Sequence, residues 1–376
     1  GGEGTQLRVR AALRVAQMAR LLSYVAIGVA VLAIAARQVA LNVGENGNSS
    51  ATTAEEVAAK ELGGDRTALQ GRVVLITGSA GTNGIGWETA RVLARYGAHV
   101  FVHGRSAARA EAGIAALRTA LAPELPVDGS GRGGQAAPQL SPLVGDLAKP
   151  DDVRAMAAAF LGTGLPLHTL ILNAGIMALP QRNESASGCD LQMHVNHIAH
   201  AHLTRLLRPA LEAAAPSRVI AVSSAAHRRA NIAFVDDDAL ETHPYNDWEA
   251  YGNSKMANVL FAAALNREYA AAGNGVTAVS LHPGLILTDL SRHMKLSITM
   301  APMLLVYPFI KKNVAQGAAT SVYCAVSSAI DDDGLGGRYF EDAHVSTLFK
   351  HQQPHLDDPS VAARLMARTD AIVDAL

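Results

Sequence analysis

The sequence is poor in cysteine. Only Cys189 and Cys324 occur in 376 residues, far apart and outside any CxxC pattern. That excludes a disulfide framework and a zinc knuckle, and it suits a reducing compartment. Net charge is also scarce: Lys and Arg total 32 against 33 Asp and Glu, a formal charge of -1. No global field therefore draws nucleic acid or strongly acidic partners. The densest histidine group, His194, His197, His200 and His202, lacks an HExxH pattern and a carboxylate partner. At helical spacing its members fan around the axis, so no metal site is expected. The acidic triplets at 236–238 and 331–333 lack the alternating ligands and glycine of a calcium loop and read as solvated turns. No internal repeat recurs at a fixed period.

A long apolar run is found in one place, at the N-terminus. Arg8, Arg10, Arg14 and Arg20 precede an uncharged stretch at 21–36, closed by Arg37 and extendable through Val39, Ala40 and Leu41. A segment over 20–41 reads as a single-pass membrane anchor, with Arg37 snorkelling. A cleavable signal segment and an amphipathic helix packed on the protein are the rival readings. The anchor would place the protein on the endoplasmic reticulum or another organelle, with its orientation open. Residues 44–54, rich in Gly, Asn, Ser and Thr, read as the start of a linker.

From Gln70 onward short β-branched runs alternate with Ala-rich segments of helical period. This is the pattern of a parallel sheet with crossover helices, a Rossmann-type doubly wound α/β fold. Strands are expected at 72–77, 99–103, 142–146, 169–173, 218–223 and 276–282. A glycine-rich insertion falls at 123–138, and the end of the chain, 358–376, reads as an amphipathic helix. The expected organisation is an N-terminal apolar helix at 1–43, a linker at 44–69, one catalytic domain at 70–350 and a helical tail at 351–376.

The first strand runs through Thr77 into Gly78, then Gly81, Gly84, Ile85 and Gly86, followed by a helix-forming stretch. Strand, glycine turn and helix together make a pyrophosphate site. Glycine lets the backbone turn tightly and approach the phosphates, and the helix N-terminus presents free N–H groups. No acidic residue follows the second strand to bind a ribose 2′-hydroxyl; Arg105 stands there. A guanidinium pairs with a 2′-phosphate, which favours NADP(H) over NAD(H). Asp146 and Leu147 end the third strand where an adenine-contacting pair would sit. Asn173, Ala174 and Gly175 end the fourth at the carboxyl edge, where open α/β sheets bind ligands.

Tyr251 and Lys255 are four apart in a helical segment and so share a face. A phenol is a poor base at neutral pH, but an adjacent ammonium and a nearby nicotinamide charge favour the phenolate. The pair is thus suited to exchanging a proton with a substrate oxygen. Ser223 and Ser224 end the fifth strand, where a hydroxyl can orient that oxygen, and Asn196 lies on the preceding helix, where it could hold a water near Lys255. Each match alone is weak; their order along one chain is hard to obtain by accident.

With these residues in place, the chain resembles the short-chain dehydrogenase/reductase family, in its retinol dehydrogenase and WW-domain-containing oxidoreductase branch, over roughly 70–349. The resemblance rests on Val195-Asn196-His197, Val222-Ser223-Ser224, Tyr251-Gly252-Asn253-Ser254-Lys255, His282-Pro283-Gly284, Gln316-Gly317-Ala318 and Gly336-Gly337-Arg338-Tyr339. It implies a catalytic tetrad of Asn196, Ser224, Tyr251 and Lys255, selecting Ser224 of the two serines. It also implies that Pro283, Gly284 and the segment to Thr288 line the nicotinamide pocket. One departure stands out: five residues separate Gly78 from Gly84, where the family has three. No WW module precedes the domain, so that relative's peptide binding does not transfer.

Past Pro283, residues 285–290 and the apolar 298–310 are expected to form a lid and a hydrophobic pocket, although a buried helix or a homodimer contact would read the same. Together with an anchor, this points to a lipophilic retinoid-, steroid- or fatty aldehyde-like substrate. Two alternatives stay open: a membrane-tethered nucleotide-binding scaffold without turnover, resting on the enlarged glycine loop, and a light-dependent pigment-precursor reductase.

Overall fold

The computed structural model describes residues 44–122, 137–236, 244–286, 311–346 and 358–376. The chain divides into two units, and the description concerns the one formed by Gly44–Met294 and Lys312–Leu376; of the other, only Lys311 is described. The apolar run at 20–41, most of the insertion, Thr288 and the segment 298–310 lie outside the described residues. Among the described residues no helix is long and apolar enough to cross a membrane.

The strands are β1 (Val73–Ile76), β2 (His99–Gly104), β3 (Leu140–Val144), β4 (Thr169–Leu172), β5 (Ser217–Val222), β6 (Val276–His282), β7 (Tyr339–Glu341) and β8 (His344–Val345). They form one sheet in the order β3-β2-β1-β4-β5-β6-β7-β8. Every pair is parallel except β7 with β8. The helices are α1 (Ala54–Glu61), α2 (Ile85–Arg95), α3 (Ala107–Leu121), α4 (Pro150–Leu161), α5 (Ala199–Ala213), α6 (Asp247–Ala272), α7 (Val314–Val326) and α8 (Pro359–Ala375).

The period of two along each strand divides the core. Val74, Ile76, Val100, Val102, Val279 and Leu281 face one side with α1, α2, α3 and α7. Val73, Leu75, Phe101, Leu170 and Leu172 face the other with α4, α5 and α6. Strands buried on both faces are what a parallel sheet between two helical layers requires, and β1 and β4 are buried at every position. After β1 the chain proceeds outward to β2 and β3, then returns to lay β4 on the opposite side of β1. The carboxyl ends of β1 and β4 therefore flank the topological switch point.

The expected strands are present with shifted ends, and β3 moves most. It occupies Leu140–Val144 rather than 142–146, because Asp146 turns the chain: its carboxylate accepts the Ala148 amide at 3.1 Å and its carbonyl the Lys149 amide at 2.9 Å. Pro142 is tolerated because β3 lies at the sheet edge.

The linker expected at 44–69 is corrected. Thr53 and Glu56 close a capping box that starts α1, whose Ala54, Val57 and Ala58 are fully buried in the core beside α7. Glu55 reaches Arg95 at 3.2 Å and Arg91 at 3.6 Å on α2. Asn46 and Asn48 donate to the Ala343 carbonyl in the turn between β7 and β8 at 2.8 and 3.2 Å. That turn holds Asp342 and Ala343 at φ 51° and 58°, a left-handed pair of the kind two-residue hairpins use. Asp331 also departs from the solvated-turn reading: it accepts the Arg218 guanidinium at 2.7 Å. The tail helix α8 buries Val361, Ala362, Leu365 and Val373 against Met256 and Leu260 of α6.

Candidate active site

At the switch point the ends of β1 and β4 are joined through Thr77. Its hydroxyl oxygen accepts the amides of Asn173 and Ala174, both at 2.9 Å, and the Asn173 side chain returns a bond to the Thr77 carbonyl at 2.8 Å. Gly78 has φ 68°, and a Cβ there would stand 2.9 Å from Ala174 Cα, so a side chain is excluded by both conformation and space. At Gly86 a Cβ would meet the Asn173 amide nitrogen at 2.4 Å. Gly84 caps α2 without a side-chain hydrogen bond, which leaves the amides of its first turn, Ile85 and Gly86 included, available to an acceptor. These residues suit a dinucleotide: a bare backbone cradle, opened by glycines whose Cβ space is already filled, leads into a helix N-terminus. Within the enlarged turn Thr82 and Asn83 are exposed, and the Gly84 amide closes onto the Gly81 carbonyl at 3.0 Å. The two extra residues thus form part of an outer turn.

Arg105 is exposed directly after β2 and pairs with no carboxylate among the described residues. Asp146 is half-buried and Leu147 buried after β3. Pro283 is buried, and Gly284 has φ 102° with the Lys312 side chain filling the space of a Cβ.

The four candidate catalytic residues come from separate elements. Asn196 lies in a π-helical turn, His194–Ile198, ahead of α5. Its Oδ1 accepts the Ile176 amide at 2.8 Å, while Nδ2 donates to the Ile176 carbonyl and to Ser254 Oγ, each at 2.9 Å. Gly175 belongs to the same cluster: a Cβ there would lie 3.1 Å from Asn196 Oδ1 and 3.6 Å from Lys255 Nζ. Ser224 caps the 3-10 turn after β5, its Oγ accepting the Ala226 amide at 3.2 Å, and its hydroxyl acts on the buried Tyr251 phenol. Lys255 follows one turn later on α6, buried, with Nζ donating to the Val222 carbonyl at 3.0 Å and lying 5.7 Å from the centre of the Tyr251 ring. The structure therefore brings Asn196, Ser224, Tyr251 and Lys255 to the carboxyl edge of β4 and β5.

Burial pushes the Tyr251 phenol up to about 12, with the Ser224 hydroxyl pulling the other way. Burial also brings the Lys255 ammonium down to about 8. Desolvation disfavours both charges.

Several residues of the site have structural roles that the sequence does not reveal. Gly252, between the tyrosine and the lysine, lets the Ser224 turn lie against α6: a Cβ there would stand 2.7 Å from the Ala226 carbonyl. A glycine inside a strongly helical segment is a signal that could have shown it. His227 donates from Nδ1 to the Ser224 carbonyl at 2.6 Å, and burial lowers its imidazole to about 4. His103 and His200 reach the glycine turn, a role that no spacing rule reveals.

Residues 72–297 match the family model described as short chain dehydrogenase. Retinol dehydrogenase 14 of Homo sapiens is 37% identical over 322 residues, covering 84% of this chain and 90% of that protein. A probable oxidoreductase of Streptomyces antibioticus is 39% identical over 318 residues, covering 81% and 98%. Among solved structures, an uncharacterized protein from Mycobacterium paratuberculosis is 28% identical with a TM-score of 0.59, covering 81% of this chain and 94% of that one.

Proposed function

Because the chain belongs to the short chain dehydrogenase family, we propose that it is an NADP(H)-dependent oxidoreductase acting on the carbonyl or alcohol carbon of a lipophilic substrate. The observation that carries this reading is the gathering of Ser224, the buried Tyr251 phenol and the Lys255 ammonium, 5.7 Å from the centre of the Tyr251 ring, at one sheet edge beside Asn196. Gly78, Gly84, Ile85 and Gly86 would hold the pyrophosphate, Asp146 and Leu147 the adenine, and Asn173 to Gly175 with Pro283 and Gly284 the nicotinamide side. Arg105, exposed where an acidic residue would select NAD(H), is the group for a 2′-phosphate. When bound, the cofactor supplies or accepts the hydride.

In the reducing direction Tyr251 gives its phenolic proton to the substrate oxygen while the Ser224 hydroxyl orients that oxygen. A phenol near 12 is fully protonated at neutral pH and so is ready to donate. Lys255 places a positive charge beside the phenolate that forms, and Asn196 holds the backbone after β4 against α6. The names of similar proteins, among them retinol dehydrogenases 11, 12 and 14 of Homo sapiens, support a retinoid-like or other hydrophobic aldehyde or alcohol. An anchor over 20–41 would keep the domain at the lipid surface where such molecules partition.

The test incubates the protein with NADPH or NADH and hydrophobic aldehydes and ketones, a retinoid included, while following nicotinamide absorbance. Preferential NADPH oxidation, reduced about 100-fold or more in Tyr251→Phe, is expected. Turnover restricted to small polar carbonyls would overturn the substrate class, and a preference for NADH would overturn the role of Arg105.

A further inference from the structure

At the carboxyl end of β2, the buried imidazole of His103 lies between two main-chain groups of fixed polarity. Its Nδ1 is 2.8 Å from the Gly78 amide nitrogen, and its Nε2 is 2.9 Å from the Gly145 carbonyl oxygen. An amide only donates and a carbonyl only accepts. Nδ1 must therefore carry the lone pair and Nε2 the proton, so one neutral tautomer satisfies both partners and the imidazolium cannot. The backbone of the same residue grips the rest of the turn. His103 N donates to Ser79 Oγ at 3.0 Å, Ser79 Oγ donates to the Ile76 carbonyl at 2.8 Å, and the Ala80 amide donates to the His103 carbonyl at 3.2 Å. Residue 103 is thus bonded to Gly78, Ser79 and Ala80 in succession, and to Gly145, the residue before Asp146.

We propose that His103 is a positioning residue for the cofactor site, its neutral imidazole clamping the glycine turn to the end of β3, and that protonating it loosens cofactor binding. The proposal rests on reading this turn as the dinucleotide site. The clamp fixes Gly78 in its left-handed conformation, φ 68°, and so sets the direction in which the turn enters α2. It also fixes the approach to Asp146. Three other groups face the ring: Asp146 after β3 favours the imidazolium, while Arg105 at the end of β2 and His200 on α5 oppose it. Burial is the largest influence and holds the ring neutral below its ordinary range. If it were protonated, Nδ1–H would confront the Gly78 N–H and the bond would be lost.

Two substitutions separate the clamp from bulk. His103→Leu fills the space with no polar atom; His103→Asn keeps an acceptor toward Gly78 that does not titrate. The full chain is titrated with NADPH and with NADH at pH 7.5 and at successively lower pH, following cofactor fluorescence, with circular dichroism to verify folding. At pH 7.5, His103→Leu is expected to weaken cofactor binding about tenfold, with kcat and the substrate KM nearly unchanged, and His103→Asn to recover most of it. The native protein is expected to lose affinity relative to His103→Asn, which shares every other buried histidine, once the pH falls below the lowered range of the buried ring. If His103→Leu folds and binds as tightly as the native protein, the clamp is refuted. Should His103→Leu fail to fold, His103→Ala takes its place, and binding as tight as the native protein's in that variant refutes the clamp. If the native protein binds neither cofactor at pH 7.5, the dinucleotide reading falls and the clamp with it.

Discussion

His200 Nε2 lies 2.9 Å from the Thr77 hydroxyl, and the other ring nitrogen of His200 lies 3.0 Å from the Asn196 carbonyl. The Asn196 carbonyl can only accept, so Nδ1 of the neutral ring carries the proton, and the Thr77 hydroxyl, whose other hydrogen-bond acceptor is the Ile171 carbonyl at 3.4 Å, donates to Nε2. Nε2 then accepts and Nδ1–H donates to Asn196. A single neutral imidazole connects the residue that opens the glycine turn with the π-helical turn that carries Asn196.

Thr77→Val removes an acceptor from two amides and a donor from His200. A destabilisation of about 2 kcal/mol or more is expected from the unsatisfied buried groups, read from urea midpoints. His200→Leu breaks the same chain of bonds from its other end. The double variant should therefore be less destabilised than the sum of the singles by about 0.5 kcal/mol or more. Strict additivity would mean that the two side chains do not act through one network.

Acid should destabilise the protein through its buried histidines. Burial lowers His197 to about 4, His200 to about 3 and His227 to about 4. Below pH 6.5 the unfolded chain takes up protons that the folded chain refuses, so stability falls with pH until each folded value is reached. At pH 5 each such histidine costs about 2 kcal/mol. Urea unfolding at pH 7.5 and pH 5 measures this, and a stability unchanged between them would mean that the imidazoles are hydrated or paired in solution. The stability is present above about 6.5 and is lost on the acid side.

How much of this was legible follows from what kind of signal each feature leaves. The apolar run of Val73 to Ile76 and the order of Gly78, Asn173, Asn196, Ser224, Tyr251 and Lys255 are patterns of the sequence itself, and they point to the sheet and to residues that the structure brings together. The helix Ala54–Glu61 was missed because its burial depends on a surface supplied by Val314–Val326, hundreds of residues later. The roles of His103 and His200 leave no local pattern for a related reason: a histidine's role depends on which donor or acceptor meets each nitrogen, and that is decided by tertiary contact. The enlarged glycine loop raised a scaffold reading, yet its added Thr82 and Asn83 are exposed and leave Gly78 and Gly86 in close contact with Asn173 and Ala174. Desolvation of Tyr251 could not be read at all, since burial is a property of the folded chain.

The pH profile should carry the mark of Lys255. Its ammonium is held at about 8 by burial, so the charge that supports the developing phenolate is present below that value and lost above it. Turnover in the reducing direction is expected to decline as pH rises through about 8, and Lys255→Met should be slow at every pH without that step. A native profile flat from pH 7 to 9 would show that the lysine keeps its proton in the working enzyme.

Gly252→Ala offers a test in which local and tertiary effects have opposite signs. An alanine in the middle of Asp247–Ala272 would ordinarily stabilise the helix by about 1 kcal/mol. Here its Cβ would stand 2.7 Å from the Ala226 carbonyl and 3.1 Å from the Ala230 amide nitrogen, backbone atoms that cannot rotate away. The turn capped by Ser224 must then retreat from the helix, separating the serine hydroxyl from the Tyr251 phenol. The expected outcome is a lower melting temperature together with a kcat reduced about tenfold or more, while cofactor affinity, set at the other end of the switch point, changes little. A variant that melts higher and turns over normally would show that the turn yields without disturbing Ser224, and the close approach would then be packing alone.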